Sequence, residues 1–306
     1  MKQSFAYFVT ILGASFWGLT GLFVESLYQF GFTPWEVVTI RLTSATIILL
    51  FFICLFSPKH LKIKLKHLPH FFGLGVGSIV LFNWLYFTVM EQTSLSIAVV
   101  LLYTSPIFVS ILSKIFFNET ITRKKVAALI MTVVGCSMVI KLFPLGDTNI
   151  PIISVILGLL SAFFCGLYSV IGKSVSANYN FLTITLYTLL TGSVFIFPTS
   201  QIWQKAQVFQ IPEVWMNVIG VAVISTVLAY ILYTFGLSYI ESSKASILGS
   251  VEPIIAILVG VIVFGDSFSI WQFFGIVMVI SSAFITVFHK KRKIRIRGER
   301  LKWRKA

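Results

Sequence analysis

Acidic residues are scarce in this chain. Ten Asp and Glu are spread over 306 positions against 24 Lys and Arg, and charged residues of all types make up 11%. Soluble domains keep about a quarter of their residues charged, so a sizeable soluble domain is excluded. Cysteine is scarcer still. Cys54, Cys136 and Cys165 all fall in apolar stretches without CxxC spacing, which removes a disulfide framework and a thiolate metal site and leaves them as small packing residues. The four histidines, His60, His67, His70 and His289, sit at the ends of apolar runs and join no Cys or carboxylate cluster. Neither a metal nor any other cofactor is expected. A phosphate loop is missing too: Gly172-Lys173-Ser174 ends a stretch where a Walker motif needs glycine at 167, and that residue is Leu167. With no nucleophile–base set either, an enzyme is not expected.

Hydrocarbon fills the space instead. Hydrophobic residues reach 57% and the mean hydropathy is +0.95. A bilayer-spanning helix needs about 20 apolar residues, and that length divides the chain into spans near 5–27, 34–56, 69–90, 95–117, 123–142, 151–173, 181–200, 214–237, 242–264 and 269–289. None of them alternates in polarity as the strands of a membrane barrel do. The opening run follows a single Lys, exceeds a signal peptide in length and lacks a cleavage site, so it reads as the first span. The sequence therefore predicts an all-α, multi-pass protein of the cell membrane with ten transmembrane helices.

The basic residues give the orientation. Lys59, Lys62, Lys64 and Lys66 follow the second span; Arg123, Lys124 and Lys125 follow the fourth; ten more Lys and Arg fill the tail from Lys290 onward. Basic loops remain in the cytoplasm, which places both termini there. The tail, 290–306, is a surface for anionic lipid; nucleic-acid binding is not expected.

The chain repeats itself. Setting Pro106 against Pro253 gives an ungapped offset of 147 residues that pairs Ala98 with Ala245, Phe117 with Phe264, Glu119 with Asp266 and Thr122 with Ser269. The halves, 5–142 and 151–289, each contain an odd number of spans and so enter the membrane in opposite directions. Their charges agree: the basic "TRKK" after the fourth span aligns with the uncharged "SIWQ" after the ninth. Inverted five-helix repeats of this kind give secondary transporters alternating access to a midplane site.

Several groups lie where lipid would penalise them. Pro106 and Pro253 fall about halfway along matched spans, where a proline removes a hydrogen bond and kinks a helix; they are candidate hinges. Glu252 lies beside Pro253, and an ionisable group at that depth faces a cavity or a partner. Three roles stand open for it: a proton relay, a contact for a cationic substrate group, or a static hydrogen bond that holds the kinked helix. Arg41 is the other deep charge, either an anion contact or a group that snorkels or pairs with Glu36. Lys114 and Lys173 lie near the boundary and are expected to snorkel. Asn83 and Tyr86, one turn apart, align with Tyr230 and Tyr233; with Trp17, Tyr103, Tyr168 and Ser250 they are candidates to line a largely apolar cavity with a few fixed polar groups.

The openings and endings of the two halves, "ASFWGLTGLFV", Arg41 in "TIRLTSA", "SPIFVSILSKIFFNE" and "VEPIIAILVGVIVFGD", resemble the EamA-type permeases of the drug/metabolite transporter superfamily. The resemblance covers both halves and leaves out the tail. It implies ten helices in two inverted repeats around a central cavity lined by the third, fourth, eighth and ninth, and transport, often export, of small metabolites such as amino acids. The second half ends in Asp266 where the family commonly has Glu. A secondary carrier of small molecules, with proton coupling as an option, is the leading expectation; a lipid flippase or a membrane scaffold without transport is the alternative. The inverted arrangement is checked by topology mapping: cysteines introduced at 60 and 205 are expected to label from opposite sides of the membrane.

Overall fold

The computed structural model describes residues 3–140 and 150–287, and among these the chain is helical without strands. The helices are named α1 (Gln3–Gln29), α2 (Pro34–Phe56), α3 (Leu65–Gln92), α4 (Ile97–Phe117), α5 (Arg123–Val139), α6 (Ile152–Val175), α7 (Phe181–Ser200), α8 (Pro212–Tyr239), α9 (Ser242–Val263) and α10 (Ile270–Val287). All but α5 are long and apolar enough to cross a membrane. Helix α5 has 17 residues, the lower limit of about 17 for a span, and packs along α10. The basic tail expected at 290–306 and the outer ends of the fifth and tenth predicted spans lie outside the described residues.

Local chemistry sets several starts. Thr33 accepts from Glu36 N at 3.3 Å while Glu36 Oε2 accepts from Thr33 N at 2.7 Å, a reciprocal cap with Pro34 in the first turn. Asn180 accepts from Leu182 N at 2.9 Å and Thr122 from Lys125 N at 3.2 Å, opening α7 and α5.

The two copies meet about a pseudo-twofold axis. Thr46 Oγ1 and Ser193 Oγ, residues 147 apart in sequence, are 2.8 Å from each other across α2 and α7. Only equivalent residues astride an axis can touch in this way. Along that pair, Trp35 Nε1 donates to Thr199 at the start of α2, and Tyr187 donates to Leu61 O beyond its end, so α2 and α7 run antiparallel. Helices α5 and α10 cross through Gly135 and Gly275. A Cβ added at Gly275 would lie 2.6 Å from Gly135 O, and one at Gly135 would lie 3.0 Å from Gly275 O. Away from the axis the pairings are reciprocal: α1 packs on α8, as α6 packs on α3. The bundle is two inverted repeats, with large apolar side chains such as Phe56 and Ile262 turned outward where lipid meets them.

The expected proline kinks take another form. Helix α4 breaks at Tyr103–Thr104 and α9 at Ser250–Val251, positions related by the same offset. Pro106 and Pro253 are the second residues of the half-helices that follow, Ser105–Phe117 and Glu252–Val263. An N-terminal turn has no amide partner to lose, so proline starts these helices rather than bending continuous ones. Two further irregularities recur between the copies without any proline: π-helical turns at Gly73–Leu81 in α3 and Val223–Leu228 in α8. Ser78 and Thr226 donate to carbonyls five residues back, Gly73 O at 3.0 Å and Val221 O at 2.8 Å, and so satisfy acceptors that the wider turn would otherwise leave open in lipid. Helix α1 also breaks, at Leu19, whereas α6 runs through unbroken.

The glycine crossing of α5 and α10 has no space to give. Gly275→Val is expected to lower the melting temperature of the detergent-solubilised protein, with a cost of about 1–3 kcal/mol for overpacking. Gly21→Val, where nothing lies within 4 Å of the added carbon, serves as the control and is expected to leave it unchanged.

Candidate functional site

The interruptions converge. Trp17, Gly18 and the break in α1 meet the break in α9; a Cβ at Gly18 would sit 2.6 Å from Glu252 O, so glycine allows the two backbones to touch. Between these breaks, that of α4 and the π-turn of α3 lies a cavity of about 210 Å³. Its wall carries Trp17, Arg41, Tyr103, Tyr168, Tyr230, Tyr233, Ser250 and Glu252, together with Pro106.

Glu252 is the first residue of its half-helix. A carboxylate there faces the positive end of the backbone dipole, which stabilises it by ~0.3–1 kcal/mol or more when buried. That placement accounts for an acid and a proline side by side at the centre of an apolar run: the acid faces a hollow at a helix start, and the proline occupies the turn where its missing N–H costs nothing. Among the described residues the Glu252 carboxylate receives neither a hydrogen bond nor an ion pair. Arg41 does not pair with Glu36, which instead binds Lys205 Nζ at 2.7 Å. It extends across the bundle, and its Nε donates to Thr226 Oγ1 in the π-turn of α8 at 3.0 Å. The two deep charges thus line one hollow without an ion pair between them.

The aromatic residues form a fixed box. Trp17 stands edge-on to Tyr230 with ring centroids 5.1 Å apart and leans on Tyr233 at 4.9 Å; Tyr168 stands edge-on to Tyr230 at 5.2 Å. Two hydroxyls hold the box in register: Tyr168 with Thr234 Oγ1 at 2.5 Å and Tyr233 with Ser169 Oγ at 2.8 Å. Trp17 Nε1 is buried and has no acceptor among the described residues, which leaves a donor at the cavity wall.

Not every candidate is gathered here. Asn83 is buried and donates to Ile79 O of its own helix at 2.7 Å; it and Tyr86 are not on the wall, so the symmetry of Asn83/Tyr86 with Tyr230/Tyr233 holds in sequence but not in the cavity. Pro253 is not on the wall either. Lys173 does not snorkel: its Nζ donates to Leu237 O and Ser238 O at 2.9 and 3.0 Å, where α8 ends. Wall residues outside the predicted site set are Thr20, Ser78, Phe82, Leu102, Ser105, Cys165, Ser169, Ser246 and Gly249. Ser105 and Ser78 carried a signal, the first as the repeat mate of Glu252 and the second as a hydroxyl in a glycine-rich run; Cys165 carried none. Among the described residues, no group of His, Cys, Asp and Glu could hold a metal ion.

The family model of EamA-like transporters matches residues 4–141 and 152–288. The chain belongs to the EamA-like transporter family. It is a membrane transporter, a multi-pass protein of the cell membrane. It is 25% identical over 281 residues to an uncharacterized transporter of Archaeoglobus fulgidus, covering 92% of this chain and 98% of that one. It is 24% identical over 302 residues to the uncharacterized transporter YxxF of Bacillus subtilis, covering 97% and 94%. It is 26% identical over 253 residues to the threonine/homoserine exporter RhtA of Salmonella typhimurium, covering 81% and 79%. A solved structure superposes with a TM-score of 0.77 over 93% of this chain and 96% of that one, at 14% identity, a likeness of fold. As an EamA transporter the protein handles small molecules, and the family and the names of its relatives point away from an enzyme.

Proposed function

We propose that this transporter carries a small zwitterionic metabolite, an amino acid or a related compound, by alternating access through the cavity between the interrupted helices. The observation that carries this reading is the pair Arg41 and Glu252: opposite charges on one wall, without an ion pair between them. A carboxylate seated at Arg41 and an ammonium at Glu252 would use both, and a ligand bearing one charge would leave the other buried and unpaired, which is unfavourable. Trp17, Tyr168 and Tyr230 would enclose the apolar part and exclude a larger one. Export is the direction that the likeness to a threonine/homoserine exporter supports. Glu252 is the residue through which a proton gradient would act, since it alone in the wall is a carboxylate.

A lipid-handling reading has one observation in its favour. A second hollow, about 730 Å³, opens between α2, α3 and α7, lined by Trp35, Trp84, Phe87 and Phe195 with Glu91 as its single charge. It shares no lining residue with the charged cavity, so a lipid there would leave Arg41 and Glu252 without a task. The zwitterion reading uses them.

The test is counterflow of labelled amino acids in proteoliposomes. Arg41→Gln and Glu252→Gln are each expected to weaken substrate affinity by about tenfold or more, the range for losing a hydrogen bond to a charged group, while the protein remains monodisperse. Transport unchanged in both variants would remove the zwitterion reading; movement of labelled lipid in the same vesicles without amino-acid flux would replace it with the flippase. If Glu252 couples protons, an imposed pH gradient is expected to drive flux in the parent protein and not in Glu252→Gln.

A further inference from the structure

The two repeats share one local device and use it differently. Each fourth span ends in a left-handed residue, Asn118 at φ 53° and Gly265 at φ 72°. Each then closes with the same hydrogen bond, Glu119 N to Ser113 O at 3.2 Å and Asp266 N to Gly260 O at 3.0 Å. The acid that follows the turn is thus set out from the helix end in the same way in both copies.

In the first copy that acid is engaged. Glu119 is buried and accepts from Ser242 N at 2.8 Å, from Ser243 N at 3.4 Å and from the Ser243 hydroxyl, so it caps the first half of α9 from the opposite repeat. Lys125 closes the cluster, with Nζ 2.7 Å from Ser243 Oγ, 3.4 Å from Glu241 and 3.6 Å from Glu119. Next to it the half-helix Ser242–Gly249 packs against Ser105–Phe117. This end of the bundle, the one with the lysine-rich loops, is shut.

In the second copy the acid is idle. Asp266 is exposed, takes no hydrogen bond from any described residue, and folds back over Gly260. The mirror packing, of the first half of α4 against Glu252–Val263, is slight at most. Gln272, at the position of Lys125, donates to Val139 O at 3.1 Å instead. This end is open.

We infer that Glu119 and Asp266 are alternating gate latches: Glu119 holds the lysine-loop side closed by capping the half-helix that begins at Ser242, and Asp266 closes the opposite side by capping the half-helix that begins at Leu95 when Glu119 lets go. The conformation described here is accordingly open away from the lysine loops. Lys125 supplies the first latch with a cation that the second lacks, so this state is the preferred one at rest. The inference rests on the alternating-access reading above, but its test needs no substrate.

Replace Cys54, Cys136 and Cys165, introduce Ser246→Cys on the cavity wall, and measure its rate of labelling by a membrane-impermeant maleimide applied from the lysine-loop side. Glu119→Ala is expected to raise that rate by about tenfold or more, the equivalent of losing hydrogen bonds to a charged group, and Asp266→Ala to lower it. Glu119→Ala also removes buried hydrogen bonds, so Asp266→Ala carries the discrimination: Asp266 touches little here, and a merely structural role predicts no change for Asp266→Ala. An unchanged rate in Asp266→Ala, or the same direction of change in both variants, overturns the latch. Opposite shifts without any amino-acid flux would leave the latch standing and defeat the zwitterion reading instead.

Discussion

Inside a bilayer every backbone amide and carbonyl must find its partner within the protein, and the rest of this structure depends on how the chain meets that demand where its helices are not regular. Four of its spans leave α-helical geometry at positions related by one offset: the breaks of α4 and α9 and the π-turns of α3 and α8. A lone break facing lipid would cost several kcal/mol for each exposed group. Breaks that face one another avoid this, because the half-helix ends, the hydroxyls of Ser78 and Thr226 and a shared polar hollow supply the missing partners. The cavity is the consequence of placing the irregular backbone of one copy opposite that of the other. Glu252 is stable at this depth for the same reason.

The scaffold is symmetric and its chemistry is not. Glu252 corresponds to Ser105, Arg41 to Thr188, Lys125 to Gln272, and the wall residues Tyr230 and Tyr233 to Asn83 and Tyr86. Of these pairs the first-copy members Asn83 and Tyr86 left the wall, while both Ser105 and Glu252 remain on it. On the alternating-access reading, duplication would supply two states of similar packing, and unequal side chains would decide what is bound and which state rests lower. A single charged residue per pair is enough, because in a hollow of about 210 Å³ a second acid opposite Glu252 would repel it at short range.

Much of this was legible in the sequence because it is periodic or charged. The spans 34–56 and 181–200 begin and end where their runs of apolar residues do, and the offset of 147 predicted that Thr46 and Ser193 would be equivalent, although not that they would touch. Arg41 and Glu252 were marked by their charge at depth, and Trp17 and Tyr103 as aromatic residues with a polar group inside a span. Backbone geometry was less visible. Pro106 and Pro253 signalled an irregularity but not its place, two residues earlier, since proline is as content at a helix start as at a kink. The π-turns have no proline, and the break at Leu19 has no mate in α6. Asn83 is not on the wall because a polar residue on a helix can turn its amide to the carbonyl four residues back, as it does to Ile79, and satisfy itself without a cavity. Lys173 turns inward for a related reason: the last turn of α8 offers its ammonium two carbonyls, Leu237 O and Ser238 O.

The contacts divide into those that a change of access would preserve and those that it would exchange. Thr46 with Ser193 and Gly135 with Gly275 lie on or beside the pseudo-twofold axis, so interchanging the conformations of the two copies maps the first pair onto itself and the second onto Ala128 with Ser282, two turns along the same two helices. Helices α2, α7, α5 and α10 can therefore hold the same packing in both states. The first halves of α4 and α9 lie off the axis, and interchange gives each the surroundings of the other. At the breaks, Tyr103–Thr104 and Ser250–Val251, the pairing across the joint is confined to short turns, Thr104 N to Leu101 O at 3.1 Å and Val251 N to Leu248 O at 3.2 Å, and the prolines just beyond begin the second halves where a missing N–H costs nothing. A joint of that kind would give up less backbone pairing on swinging than a continuous helix would. The recurrence of break and proline in both copies is what an access change by exchange of roles requires of the backbone.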